Sequence, residues 1–172
     1  MNIMNKQERE RKWTVNNDGW MENVYSRYNI TQGYLSRNPD VRVRIESHGG
    51  LLLGYLIVKG DRYFDDCRDE FTYEIPVHEA DMLLDLCRGQ IIRKTRYLVN
   101  AFDKDTKKII PSDRCKFEID VFDEPDGIET ICEMEYSRDE DLERVMIPDW
   151  LGDDVTGDES FYNHSIGAPL IS

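Results

Sequence analysis

The chain has 172 residues, 40% of them hydrophobic, and a formal net charge of −13. That length is one domain's worth and enough to bury a core, so residues 1–172 are read as a single domain. The acidic balance excludes diffuse binding to nucleic acid, which would be repelled before contact, yet leaves room for a small polyanion that needs only a local cluster of lysines and arginines.

No run of residues suits a membrane span, and the polar start Met1–Gln7 lacks the apolar stretch of a secretory signal. The expected location is therefore cytoplasmic, with no membrane partner. Cys67, Cys87, Cys115 and Cys132 are scattered without CxxC spacing, which points to reduced, structural thiols rather than to a zinc knuckle or a disulfide framework.

The first stretch that suits a strand is Glu8-Arg9-Glu10-Arg11-Lys12. Alternation puts Glu8, Glu10 and Lys12 on one face and Arg9, Arg11 and Trp13 on the other. Two carboxylates two residues apart repel unless a cation sits between them, so this face invites a divalent metal on the glutamates and an anion on the lysine. Asn16-Asn17-Asp18-Gly19 is a turn signal, and the spacing of Trp20, Val24, Tyr25 and Tyr28 suits a short helix or ordered loop across 14–29. Strands are expected at Ile30–Leu35, Val41–Glu46, Leu52–Lys59 and Phe71–Ile75, joined by the short turns Asn38-Pro39-Asp40, His48-Gly49-Gly50 and Gly60-Asp61, hence an antiparallel meander.

After Pro76 the period changes, and Ala80, Leu83, Leu84 and Cys87 predict a helix at roughly 77–88 that stops at Gly89. Strands resume at Ile91–Ala101, Cys115–Phe122 and Glu129–Tyr136. Asp139–Val145 reads as a short helix, Pro148–Gly152 as a tight turn and Phe161–Ile166 as a last helix. His48, His78 and His164 are expected to be solvent-facing or structural, and Trp13, Trp20 and Trp150 to be core or loop anchors.

The later strands repeat the signature of the first. Lys12, Arg42, Arg44, Lys59, Lys94 and Arg96 make whole strands cationic, whereas Glu118, Asp120, Glu133 and Glu135 make others anionic. A surface built for solubility mixes signs; this segregation fits a closed barrel whose basic and acidic walls face each other, with a metal phosphate between them. The apolar faces then look outward, covered in part by the helix at 77–88 and the C-terminal segments. Clustered cations in an empty barrel are expected to repel, so truncating Arg42, Arg44 or Arg96 is expected to cost little stability.

These pieces stand in an order that resembles the CYTH family, the triphosphate tunnel metalloenzymes: Glu8-x-Glu10-x-Lys12, Gln32-Gly33-Tyr34-Leu35, Arg42-x-Arg44, Lys59-Gly60, Lys94-Thr95-Arg96, Glu118-x-Asp120, Glu133-x-Glu135 and the tail from Pro148 to Asn163. The resemblance spans nearly the whole chain. It implies an α+β fold, an antiparallel eight-stranded β-barrel with flanking helices, dependent on Mg²⁺ or Mn²⁺. It also implies that Lys12, Arg42, Arg44, Lys59, Arg68, Lys94 and Arg96 hold phosphates, that Glu8, Glu10, Glu118, Asp120, Glu133 and Glu135 stand on the metal side, and that Glu8, Glu10 and Lys12 form the catalytic set. Glu70 and Glu74 match the family's fifth strand, but Thr72 replaces a glutamate between them, and Asp154 is shorter than the usual tail residue.

The expected activity is metal-dependent hydrolysis of triphosphorylated compounds, inorganic triphosphate first, by a monomer or homodimer. Phosphoryl transfer asks mainly for charge neutralisation and an aligned water, which such walls supply. Glu8 or Glu10 as water-activating base and as metal ligand are both open, with metal ligation placed ahead. The alternatives are a class IV adenylyl cyclase making cyclic AMP, and a non-catalytic binder of nucleotides or polyphosphate.

Overall fold

The computed structural model describes residues 3–64 and 66–167, with side chains from Gln7 onward; Met1 and Asn2 of the polar start lie outside the described residues. Among the described residues nine strands form in chain order: β1 (Ile3–Val15), β2 (Val24–Arg37), β3 (Asp40–His48), β4 (Leu51–Phe64), β5 (Cys67–Ile75), β6 (Ile92–Asn100), β7 (Cys115–Glu124), β8 (Ile131–Tyr136) and β9 (Leu151–Asp154). Three short helices accompany them: α1 (Val77–Leu84), α2 (Asp139–Arg144) and α3 (Asn163–Ile166).

All pairings are antiparallel, and β5 pairs back onto β1, so the first eight strands close into a barrel. β1 performs the closure by changing partner along its length. Ile3–Arg9 ladder with β5, Glu10–Thr14 with β8, and the end of β1 also meets β9. The expected eight-stranded barrel is therefore present, with its charged face inward. Even so, Lys12 and Lys94 are as buried as Phe117 and Ile119.

The apolar residues pack outside the barrel wall. Trp13, Phe117, Ile119, Met134 and Trp150 belong to one cluster, with Trp20 tilted against Tyr97 at 4.9 Å and Phe117 edge-on to Trp150 at 5.3 Å. Burying such side chains contributes about 1.5–3 kcal/mol each, which helps to offset the cost of a charged interior. α1 and the segment that follows it lie close on the wall because two strand residues lack a Cβ. One added at Gly33 would come within 2.7 Å of Cys87 Sγ, and one at Gly54 within 2.9 Å of Ala80 Cβ.

Several boundaries differ from the sequence reading. The stretch 14–29 divides: Asp18–Asn23 is a 3-10 helix capped by Asn17, and Val24–Tyr28 belongs to β2, because pairing with β6 outweighs the local turn signal. The predicted helix at 77–88 ends at Leu84, the turn at 148–152 leads into β9, and the last helix is a 3-10 turn at Glu159–Phe161 followed by α3. β4 continues past Lys59 to Phe64 with two register irregularities. The loop signal at Gly60-Asp61 thus marks a bulged strand rather than a turn.

Candidate active site

The tunnel interior follows from register. In a pleated pair, residues directly opposite share a face. Glu8 lies opposite Arg68, Lys59 opposite Glu70, Arg96 opposite Asp120, Lys12 opposite Glu133, and Tyr34 opposite Arg42. The charged alternation of each strand thus converges on one axis.

Ion pairs fill the interior. Lys59 Nζ donates to Glu8 Oε1 at 2.5 Å and lies 2.9 Å from Glu70 Oε2, while Arg68 Nε donates to Glu8 Oε2 at 2.8 Å. Lys12 Nζ donates to Glu133 Oε1 at 2.5 Å, and Arg96 Nη2 to Glu133 Oε2 at 2.7 Å. Arg96 also grips Asp120 and Glu118, and Lys94 pairs with Asp120 while donating to Asn163 Oδ1 at 3.0 Å. Lys12, Lys59, Arg68, Lys94 and Arg96 are thus partnered rather than mutually repelling. The expectation that truncating Arg96 costs little stability is corrected accordingly, because truncation would strand buried carboxylates.

These pairings set the titration of the acids. Burial opposes ionisation of Glu8, but Lys59 and Arg68 outweigh it and hold the carboxyl well below its ordinary range. Glu133 behaves likewise under Lys12 and Arg96, and Asp120 under Arg96 and Lys94. Glu10 goes the other way. Burial raises it, and the neighbouring charges of Glu8 and Glu133 raise it further. Burial also lifts Glu118 to about 7.

One cavity of about 460 Å³, including its mouth, runs through this network. Its wall carries six cations, Lys12, Arg42, Arg44, Lys59, Arg68 and Arg96, and six carboxylates, Glu8, Glu10, Asp40, Glu70, Glu133 and Glu135. Arg42 is buried, with Nε lacking an acceptor among the described residues, so the wall holds at least one donor ready for an anion.

The residues named from the sequence as phosphate, metal or catalytic candidates face the tunnel, but in two groups. Glu8, Glu10, Glu133 and Glu135 line the cavity, whereas Glu118 and Asp120 stand behind it as anchors of Arg96, with Lys94 paired to Asp120 there. Thr72 Oγ1 donates to Glu70 Oε1 at 3.0 Å, so the hydroxyl that replaces a carboxylate orients its neighbour. Asp154 pairs with Arg11 on the outside of the barrel.

Residues that the sequence reading missed come from two places. Tyr34 follows Gln32 on the inner face of β2, and Asp40 starts β3. Tyr162, Asn163 and His164 reach the cavity from the tail, with the Tyr162 ring centroid 4.5 Å from Lys12 Nζ. His164 is thus a cavity residue, correcting its reading as solvent-facing or merely structural. Strand alternation carries no signal for a tail that folds back, although the Tyr162-Asn163 pair lay within the motif that carried the resemblance.

The oxygen-only donor set of Glu8, Glu10 and Glu133 suits a hard divalent cation, and the raised Glu10 marks the place where positive charge is wanted. In their present arrangement, no three such side chains among the described residues converge as a ready-made metal site. The fit is one of donor chemistry and charge.

Barrel and site together define a small tunnel protein whose inner wall interleaves cations and carboxylates as ion pairs, in place of the separate basic and acidic walls expected from the sequence. No family model matches the chain. It is 32% identical over 161 residues to the inorganic triphosphatase of Acetivibrio thermocellus, covering 92% of each, and 27% identical over 142 residues to that of Nitrosomonas europaea, covering 82% of this chain and 85% of that one. Its fold matches the solved inorganic triphosphatase NE1496 with a TM-score of 0.59 at 24% identity, covering 95% of this chain and 99% of that one. PH1819 from Pyrococcus horikoshii matches at 0.58 and 21% identity, covering 79% and 82%. The chain belongs to the triphosphate tunnel family, with inorganic triphosphatases among its members.

Proposed function

We propose that the protein hydrolyses inorganic triphosphate to pyrophosphate and phosphate with the help of Mg²⁺ or Mn²⁺. The observation that carries this reading is the cavity wall, where six cations face six carboxylates. A wall of balanced charge does not by itself favour a polyanion. With divalent cations on the acidic side, the same wall becomes a receptor for one.

Lys12, Arg42, Arg44, Lys59, Arg68 and Arg96 bind and neutralise the phosphoryl oxygens, the guanidinium groups by paired N–H donors. Glu8, Glu10 and Glu133 would hold the metal, with Glu135 beside them. Bound there, the metal supplies charge neutralisation at the scissile bond and a more acidic water. Glu118 and Asp120 position Arg96, and Lys94 holds Asp120. Water attacks the terminal phosphorus, the phosphoanhydride bond breaks, pyrophosphate leaves, and the water's protons pass to solvent and product oxygens. Positioning and electrostatics do most of the work in such a reaction.

The two triphosphatase relatives support the substrate, and the tunnel geometry supports the binding mode. Phosphate release from inorganic triphosphate, ATP and thiamine triphosphate, each with Mg²⁺, Mn²⁺ or EDTA, tests the reading. Turnover of inorganic triphosphate that EDTA abolishes is expected. Full activity in EDTA would remove the metal, and cyclic AMP from ATP would replace hydrolysis by cyclisation.

A further inference from the structure

Lys94 does not reach the cavity. Its side chain is buried behind the wall, where Nζ pairs with Asp120 and donates to Asn163 Oδ1 at 3.0 Å. An ammonium group only donates, so the amide oxygen of Asn163 must face it and the amide nitrogen must face away. Asn163 lines the cavity, and among the described residues nothing accepts from its Nδ2. The carboxamide thus stands between a buried cation and the tunnel, with its N–H donors on the tunnel side.

The tail holds this group in place from both directions. Gly157 N donates to Tyr162 Oη at 3.1 Å, and the Tyr162 ring rests on Lys12. Beyond Asn163, Arg37 donates Nη1 to the His164 carbonyl and Nη2 to the Gly167 carbonyl at 2.5 Å, and Gln90 N reaches the same Gly167 oxygen at 3.1 Å. A donor fixed in advance loses little freedom when it binds. Asn163 also differs from the cations around it. Lys12, Lys59, Arg68 and Arg96 each hold a carboxylate of the wall, with which an incoming phosphoryl group must compete, whereas a neutral amide draws none.

We propose that Asn163 is a phosphate-binding residue of the tunnel, donating Nδ2–H to a phosphoryl oxygen of triphosphate beside Lys12. Lys94, expected among the phosphate ligands, then acts on the substrate through Asn163: its charge on Oδ1 fixes the amide's orientation and polarises the N–H on the far side. This rests on the reading of the tunnel as a triphosphate site.

The test is calorimetric binding of imidotriphosphate, whose bridging nitrogens resist hydrolysis, to the full chain with Mg²⁺, beside melting curves. Asn163→Ala should weaken binding about tenfold, the loss of one hydrogen bond to a charged group. Asn163→Asp keeps an acceptor for Lys94, and with it the seating of the tail, so it should melt near wild type yet bind no better than the alanine variant. If either variant binds as tightly as wild type, the proposal is overturned and Asn163 only latches the tail to Lys94. If wild type itself binds no imidotriphosphate, the reading of the tunnel falls, and this inference with it.

Discussion

Arg96 grips Asp120 with two nitrogens, Nε to Oδ1 at 2.6 Å and Nη2 to Oδ2 at 2.7 Å. The same guanidinium reaches Glu118 and Glu133, which lie directly opposite each other on β7 and β8 and would repel without it. One side chain on β6 thus joins three strands and presents a cation to the cavity.

Arg96→Ala should therefore lose both stability and turnover. Stranding buried carboxylates costs about 3–5 kcal/mol. Arg96→Lys keeps the charge but not the planar fork, and should recover stability only in part. Urea unfolding beside turnover of inorganic triphosphate checks this. Full stability of the alanine variant would mean that the network contributes little to the fold.

Chain length of the substrate gives a second expectation. Six cations spread over five strands can engage a row of phosphoryl groups from several sides, so inorganic triphosphate should exceed pyrophosphate in kcat/KM. Adenosine gains nothing from a wall that carries so few apolar side chains, and ATP should also be the poorer substrate. Side-by-side kinetics on the three compounds decide it, with equal rates for pyrophosphate and triphosphate as the contrary result.

Glu10 allows a pH test with a definite sign. Its folded-state pKa is raised above the unfolded value, so its contribution to stability is fully present below the unfolded pKa and is lost as pH rises through the folded one. Glu10→Gln removes that loss. The variant should melt above the metal-free wild type at neutral pH, and the two should converge in acid. Melting curves from pH 4 to 8 in EDTA measure it, and a variant less stable at neutral pH would contradict it.

Gly54→Ala tests the outer wall. The added Cβ would stand 2.9 Å from both Ala80 Cβ and the Ile75 carbonyl oxygen, and the latter is backbone that yields little. Overpacking of this kind costs about 1–3 kcal/mol. Stability should fall while turnover per folded molecule stays near wild type, since α1 lies outside the tunnel. A calorimetric scan with an activity titration separates the two effects.

The inner face of each strand was legible in the sequence because strand alternation is strictly local: Glu8, Glu10 and Lys12 share a side whatever surrounds them, as do Arg42 and Arg44. The segregation of sign among strands also pointed to walls that face each other. Which face turns inward depends on closure, and closure rests on β1 leaving β5 for β8 between Arg9 and Glu10, a long-range pairing with no local mark. Who neutralises whom was likewise decided in three dimensions. Arg96 and Glu133 are 37 residues apart in the chain and 2.7 Å apart in space. Gly60-Asp61, expected as a turn, runs on instead as a bulged strand because the ladder with β5 sets its register. Tyr162, Asn163 and His164 enter the cavity through packing of the tail, held where Arg37 binds the His164 carbonyl and Lys94 meets Asn163. Local alternation specified the chemistry of the wall, and long-range pairing energy specified its shape, its charge balance and its mouth.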